Sequence, residues 1–124
     1  MANPSIIVVD DDHAVRRALS RLLNSAGYSV LEFGSAQELL ESGAVADCFV
    51  LDIHLGTMNG FELDDRLREA GSHSPVIFIT AHDDEATRER ARRCRPQAYL
   101  RKPFAADALL AAIRSVLDDP PRVA

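Results

Sequence analysis

The stretch SIIVVDDD, Ser5 to Asp12, sets the frame for the chain. A β-branched apolar run with no polar alternation is the pattern of a strand buried on both faces. It stops on three acids, and Asp12 is placed to cap the helix that follows. Val15, Ala18, Leu19, Leu22, Leu23 and Ala26 fall on one face of that helix before Gly27 stops it. The unit then recurs. Residues 28–33 alternate as a second strand, and Ser35 with Glu38 reads as a capping box opening a helix that Gly43 ends. Residues 47–52 form a third strand, apolar until its last residue. After a loop over 54–58, Asn59 opens a third helix with Phe61, Leu63, Leu67 and Ala70 inward. Val76–Thr80 is a fourth buried strand. Asp83, Asp84 and Glu85 suit the start of a fourth helix, whose anchors Ala86, Ala91 and Cys94 are small and which Arg95-Pro96 ends. Residues 97–101 read as a fifth strand, and Leu109, Leu110, Ile113, Val116 and Leu117 mark a last helix. Strand and helix alternate five times. That predicts an α/β fold, a doubly wound, mainly parallel sheet with helices on both faces.

At 124 residues the chain has room for one domain, read here as residues 1–117, with 118–124 (DDPPRVA) as a tail or the start of a linker. Fourteen basic against 19 acidic residues give a net charge of −5, which disfavours direct nucleic-acid binding by this domain. No apolar run reaches membrane-spanning length and no basic leader precedes an apolar stretch, so no membrane partner is expected and the expected location is the cytoplasm. Cys48 and Cys94 match no metal-ligand spacing and read as reduced, mostly buried thiols.

In such a sheet ligands bind at the carboxyl ends of the strands. Strand one ends at Asp10 and Asp11, strand three at Asp52 and strand four at Thr80, while strand five runs into Lys102. Three carboxylates, a hydroxyl and an ammonium thus converge on one edge. Carboxylates crowded together repel, and a divalent cation relieves the conflict. Magnesium favours a few carboxylate oxygens, waters and a phosphate oxygen. Phosphoryl transfer to a carboxylate then needs mainly in-line positioning and charge neutralisation.

Val8-Val-Asp-Asp11, Leu51-Asp52-Ile-His54, Met58-Asn-Gly60, Ile79-Thr-Ala81 and Arg101-Lys-Pro-Phe104 resemble the motifs of response-regulator receiver domains, in the family's order, from about Ser5 to Leu117. The resemblance implies a flavodoxin-like five-stranded sheet in order 2-1-3-4-5. It implies Asp52 as phospho-acceptor, with Mg2+ held by Asp11 and Asp52 directly, by Asp10 through water and by the backbone carbonyl of His54. Lys102, Thr80 and the Ala81 amide would contact the phosphoryl oxygens, Thr80 and Tyr99 would form a switch, and Lys102-Pro103 would be cis. A sensor histidine kinase or a small phosphodonor would supply the group. Phosphorylation would reshape the helix 4–strand 5–helix 5 face, through which relatives form homodimers. The domain would lose its phosphoryl group slowly and would not be a turnover enzyme. The pattern is similar to receivers fused to helix-turn-helix domains, which implies a transcription-regulating, DNA-binding output domain beyond residue 124; a free-standing receiver is the other arrangement.

Three departures stand out. Gly56 replaces a common proline, suggesting a looser loop; Arg95-Pro96 replaces a common Ala-Gly; Ala105 stands where a Thr or Ser usually caps the last helix. Tyr99 reads as a switch or as plain packing. Arg88, Arg90, Arg92, Arg93 and Arg95 read equally as a solvated face or as a partner or dimer surface. The His54 and His82 side chains are poor magnesium ligands and are expected to tune water access to Asp52. Of the rival functions, an aspartate-nucleophile phosphatase wants a second aspartate where His54 stands. A flavin or nucleotide binder wants a glycine-rich loop in place of Asp10-Asp11-Asp12. An unphosphorylated interaction module of receiver type is the remaining alternative.

Overall fold

Ser5–Val9 forms β1, which has strand neighbours on both sides. The computed structural model describes residues 3–56, 58–94 and 98–118. Along them β1 is followed by α1 (His13–Ser25), β2 (Ser29–Phe33), α2 (Ala36–Ser42), β3 (Cys48–Asp52), α3 (Gly60–Glu69), β4 (Val76–Thr80), α4 (Glu85–Cys94), β5 (Ala98–Arg101) and α5 (Ala106–Asp118). All four strand pairings are parallel and the order is β2-β1-β3-β4-β5. The chain steps from β1 to one side for β2 and then to the other for β3, so the order reverses beside β1 and a crevice opens beyond its carboxyl end.

Both faces of the sheet are covered, which is why its inner strands read as unbroken apolar runs. Ile7, Val9, Phe49, Leu51 and Phe78 pack with Leu39 of α2, Phe61 and Leu63 of α3 and Ala91 of α4. Ile6, Val8, Val50, Ile77 and Ile79 point the other way, onto Leu19 and Leu23 of α1 and Leu109 and Ile113 of α5. The helix starts follow the sequence. Asp12 accepts from the amides of Ala14 and Val15, and Asn59 and Glu62 form a reciprocal capping box. At Ser35 only half a box is made: its Oγ accepts from the Glu38 amide, but the Glu38 carboxylate takes the Gly34 amide instead of that of Ser35. Gly56 has φ 82°, a value that a proline ring forbids, so the departure at this loop follows from its backbone.

Four expected inward alanines, Ala18, Ala26, Ala70 and Ala86, are exposed. They sit at the margins of their helical stripes, and alanine has too little surface to set a helix's rotation. The second and third strands begin at Ser29 and Cys48, one residue later than expected. Asp47 instead turns its carboxylate to the Ser5 amide, 2.8 Å away. Cys48 is buried. α5 runs through Asp118, one residue into the expected tail. Residues 119–124, Arg95, Pro96, Gln97 and the Cys94 side chain lie outside the described residues.

Candidate functional site

Val9 of β1 lies opposite Leu51 of β3, so the residues after them emerge side by side. Asp10 and Asp52 are almost fully buried there, while Asp11 is exposed. One carboxylate oxygen from each of the three lies within 4.8 Å of the others. Lys102, just past β5, reaches back so that its Nζ is 2.8 Å from Asp10 Oδ2 and 3.5 Å from Asp52 Oδ2. The Lys102–Pro103 peptide is cis.

Burial raises the Asp52 carboxyl from 3.8 to about 6 and the Asp10 charge adds to this, while Lys102 and the His54 amide, which donates to Oδ1 at 3.2 Å, offset part of it. Burial alone would lower the Lys102 ammonium, but the hydrogen bond it donates to Asp10 and the charges of Asp52 and Asp10 outweigh it and hold the group above its usual value. One ammonium therefore faces three carboxylates, and the cluster is left with negative charge for a further cation. Its donors are all oxygen, which fits a hard ion such as magnesium better than zinc or copper.

Asp10 is held on every side. Its Oδ1 accepts from the Asp12 amide at 2.9 Å, its own amide donates to the Phe33 carbonyl at 3.3 Å, and its carbonyl accepts from Arg16 Nη1 at 2.7 Å. Arg16 was not singled out from the sequence, because an arginine in a first helical turn carries no local mark of such a contact. Gly60 was read only as part of a motif, yet a Cβ on it would lie 2.7 Å from the Asp52 carbonyl oxygen, so α3 starts against the backbone of the acceptor residue. The buried Asp64 on α3 was also missed; burial raises its carboxyl, and Arg68 Nε lies 3.2 Å away.

Thr80 is fully buried, and its Oγ1 accepts from the His82 amide at 3.0 Å. Ala81 follows it at the surface. The half-buried Tyr99 donates its hydroxyl to Asp83 Oδ1 at 3.0 Å, and burial together with Asp83 pushes that hydroxyl up to about 12. The His54 and His82 rings meet edge to face with centroids 4.7 Å apart. On α4, Arg92 and Arg93 reach Glu89, Arg88 reaches Asp83, and Arg90 lies over the Phe61 ring.

The family model for the response regulator receiver domain matches residues 6–114. The chain belongs to that family. The receiver is 39% identical over 110 residues to Nodulation protein W of Bradyrhizobium diazoefficiens, covering 87% of this chain and 48% of the relative. It is 38% identical over 112 residues to the transcriptional regulatory protein FixJ of Azorhizobium caulinodans, covering 89% and 53%. It thus spans about half the length of these curated relatives. Among solved structures, a response regulator receiver protein from Burkholderia phymatum is 40% identical with a TM-score of 0.82, covering 98% of this chain and all of that one. A CheY-like receiver domain protein from Methanospirillum hungatei is 26% identical with a TM-score of 0.87, covering 94% of each chain. Among the described residues no helix is long and apolar enough to cross a membrane.

Proposed function

We propose that this receiver accepts a phosphoryl group on Asp52 while magnesium is held at the acid cluster. The observation that carries the reading is the convergence of the Asp10, Asp11 and Asp52 carboxylates with the Lys102 ammonium at the switch point of the sheet. Asp11, exposed at the mouth, suits a direct metal ligand. Both Asp10 oxygens are already engaged, one by the Asp12 amide and one by Lys102, which suits contact with the ion through water. Asp52 itself and the His54 carbonyl complete the set. Magnesium, when bound, offsets the charge of the phosphoryl oxygens.

An Asp52 with its carboxyl at about 6 is mostly ionised at pH 7 and available as nucleophile. A carboxylate oxygen attacks phosphorus in line, the bond from phosphorus to the donor breaks, and the donor leaves with the electron pair. Lys102, already beside Asp52, pairs with the transferred oxygens. For Thr80 and the Ala81 amide to bind them, the Thr80 hydroxyl must leave the His82 amide. For Tyr99 to turn inward, its hydroxyl must leave Asp83. These two hydrogen bonds would define the resting member of a two-state switch across α4, β5 and α5. The His54 and His82 rings, standing together after Asp52 and Thr80, would set how readily water reaches the phospho-aspartate.

We assign a sensor histidine kinase as the donor, homodimerisation through the α4–β5–α5 face, and residues 1–118, to the end of α5, as the signalling domain in the cytoplasm, with an output domain beyond residue 124. The half-length coverage of relatives, one of them named a transcriptional regulatory protein, supports an output in transcription. The domain would be a slowly self-dephosphorylating acceptor and not a turnover enzyme. The test is intact mass after incubation with acetyl phosphate and magnesium. A labile gain of one phosphoryl group, dependent on magnesium and absent in Asp52→Asn, is the expected result. No gain with magnesium bound would favour an unphosphorylated interaction module.

A further inference from the structure

Arg16, in the first turn of α1, is mostly buried and makes contacts in three directions. Its Nη1 donates to the Asp10 carbonyl at 2.7 Å, its Nη2 meets His13 Nδ1 at 3.0 Å, and its Nε lies 3.4 Å from Glu32 Oε1 on β2. Gly34 makes room for it: a Cβ there would stand 3.3 Å from Nη1. The guanidinium plane is thus oriented by β2 and α1 while one of its corners holds β1's exit.

The held carbonyl belongs to the peptide joining Asp10 to Asp11. The Asp10 side chain and amide are anchored separately, by Asp12, Lys102 and Phe33. The Asp11 side chain has no hydrogen-bond partner among the described residues, so its place within 4.8 Å of Asp10 and Asp52 depends on the tilt of that peptide. A shift of that peptide would displace the Asp11 Cα, and its carboxylate with it, relative to the separately anchored Asp10 side chain.

We propose that Arg16 is a positioning residue for the divalent-cation site: by gripping the Asp10 carbonyl it sets the peptide that presents Asp11. This rests on the magnesium reading above. The proposal makes a prediction opposite in sign to simple electrostatics. Removing a cation near three acids should tighten Mg2+ binding, and exchanging Arg for Lys should leave it unchanged. Loss of positioning should weaken binding in both cases, because a lysine cannot hold three acceptors in one plane.

The experiment is a Mg2+ titration of the full chain followed by amide NMR shifts, on wild type, Arg16→Met, Arg16→Lys and, as control, Arg17→Met. Arg17 shares Glu32, at 3.2 Å, but does not touch the Asp10 carbonyl. Both Arg16 variants are expected to bind Mg2+ at least about tenfold more weakly, the size usual for groups that orient metal ligands, and Arg17→Met to stay within about twofold. At saturating Mg2+, labelling of Asp52 by acetyl phosphate should recover, a split that general structural damage would not produce. Should Arg16→Met not fold, Arg16→Lys decides alone. Arg16→Lys binding as tightly as wild type or tighter overturns the proposal and leaves the magnesium reading intact. Wild type that binds no Mg2+ overturns both.

Discussion

Lys102 makes its short ion pair with Asp10, Nζ to Oδ2 at 2.8 Å, across 92 residues of sequence. Asp10 is fully buried, so this pair is the main compensation for its charge. Lys102→Met should therefore act twice. It removes the cation that faces the incoming phosphoryl group, and labelling by acetyl phosphate should fall by about two orders of magnitude, the effect of losing one charge-stabilising donor. It also strips a charged hydrogen bond, lowering stability by about 1.5–3 kcal/mol. Mass spectrometry and urea unfolding read the two effects separately.

Asp52 should make the metal-free protein less stable as pH rises. Its carboxyl lies at about 6 in the folded chain and near 3.8 unfolded, so between those values the folded state holds more protons. Stability contributed by this group is present below about 4, is lost as pH rises toward 6 and stays lost above. The shift corresponds to a cost on the order of 2–3 kcal/mol at pH 7. In EDTA, Asp52→Asn should unfold at higher urea than wild type at pH 7, and the gap should close as pH approaches 4. Equal midpoints at pH 7 would show that burial and the neighbouring acids do not destabilise the Asp52 carboxylate.

Asp83 gathers Tyr99 at 3.0 Å, Arg101 at 3.5 Å and Arg88 at 3.6 Å, joining the β4–α4 loop to β5 and α4. Asp83→Asn removes the charge but keeps the shape. In a Tyr28→Phe background, ultraviolet titration should then place the Tyr99 hydroxyl below its present value of about 12, though above 10 because burial remains its largest cause. With its partner weakened, Tyr99 should leave the resting position more readily and acetyl phosphate labelling should quicken by about 2–5-fold, a bias of roughly 0.4–1 kcal/mol. An unchanged titration would separate Tyr99 from Asp83.

Gly60→Ala should reverse the usual sign of a glycine-to-alanine change in a helix, which stabilises by about 1 kcal/mol. The added Cβ would meet the Asp52 carbonyl at 2.7 Å and the Ile53 Cα at 3.0 Å, and neither backbone atom can swing aside. Overpacking of this kind costs about 1–3 kcal/mol. The urea midpoint should drop, and because the displaced residue is Asp52, labelling should drop with it. A midpoint at or above wild type would mean that α3 shifts freely.

The chain of 124 residues by itself determined the number and order of its strands and helices, because those follow from local patterns. β-branched runs without polar alternation demand cover on both faces, and Asp12 and Asn59 satisfy free amides within three residues of themselves. It also determined which acids stand at strand ends, since a carboxylate closing an apolar strand is visible in one dimension. Only the tertiary structure decided what depends on distance between remote segments. Lys102 prefers Asp10 over Asp52, Arg16 holds the Asp10 carbonyl, Tyr99 rests on Asp83, Gly60 abuts Asp52, and Asp64 lies buried on α3. Apart from Asp64, each pairs a long or an absent side chain with a backbone or carboxylate outside its own element. Local sequence carries no record of such a partner, and where several acceptors are near, the register of the sheet and the reach of the side chain decide which one is met.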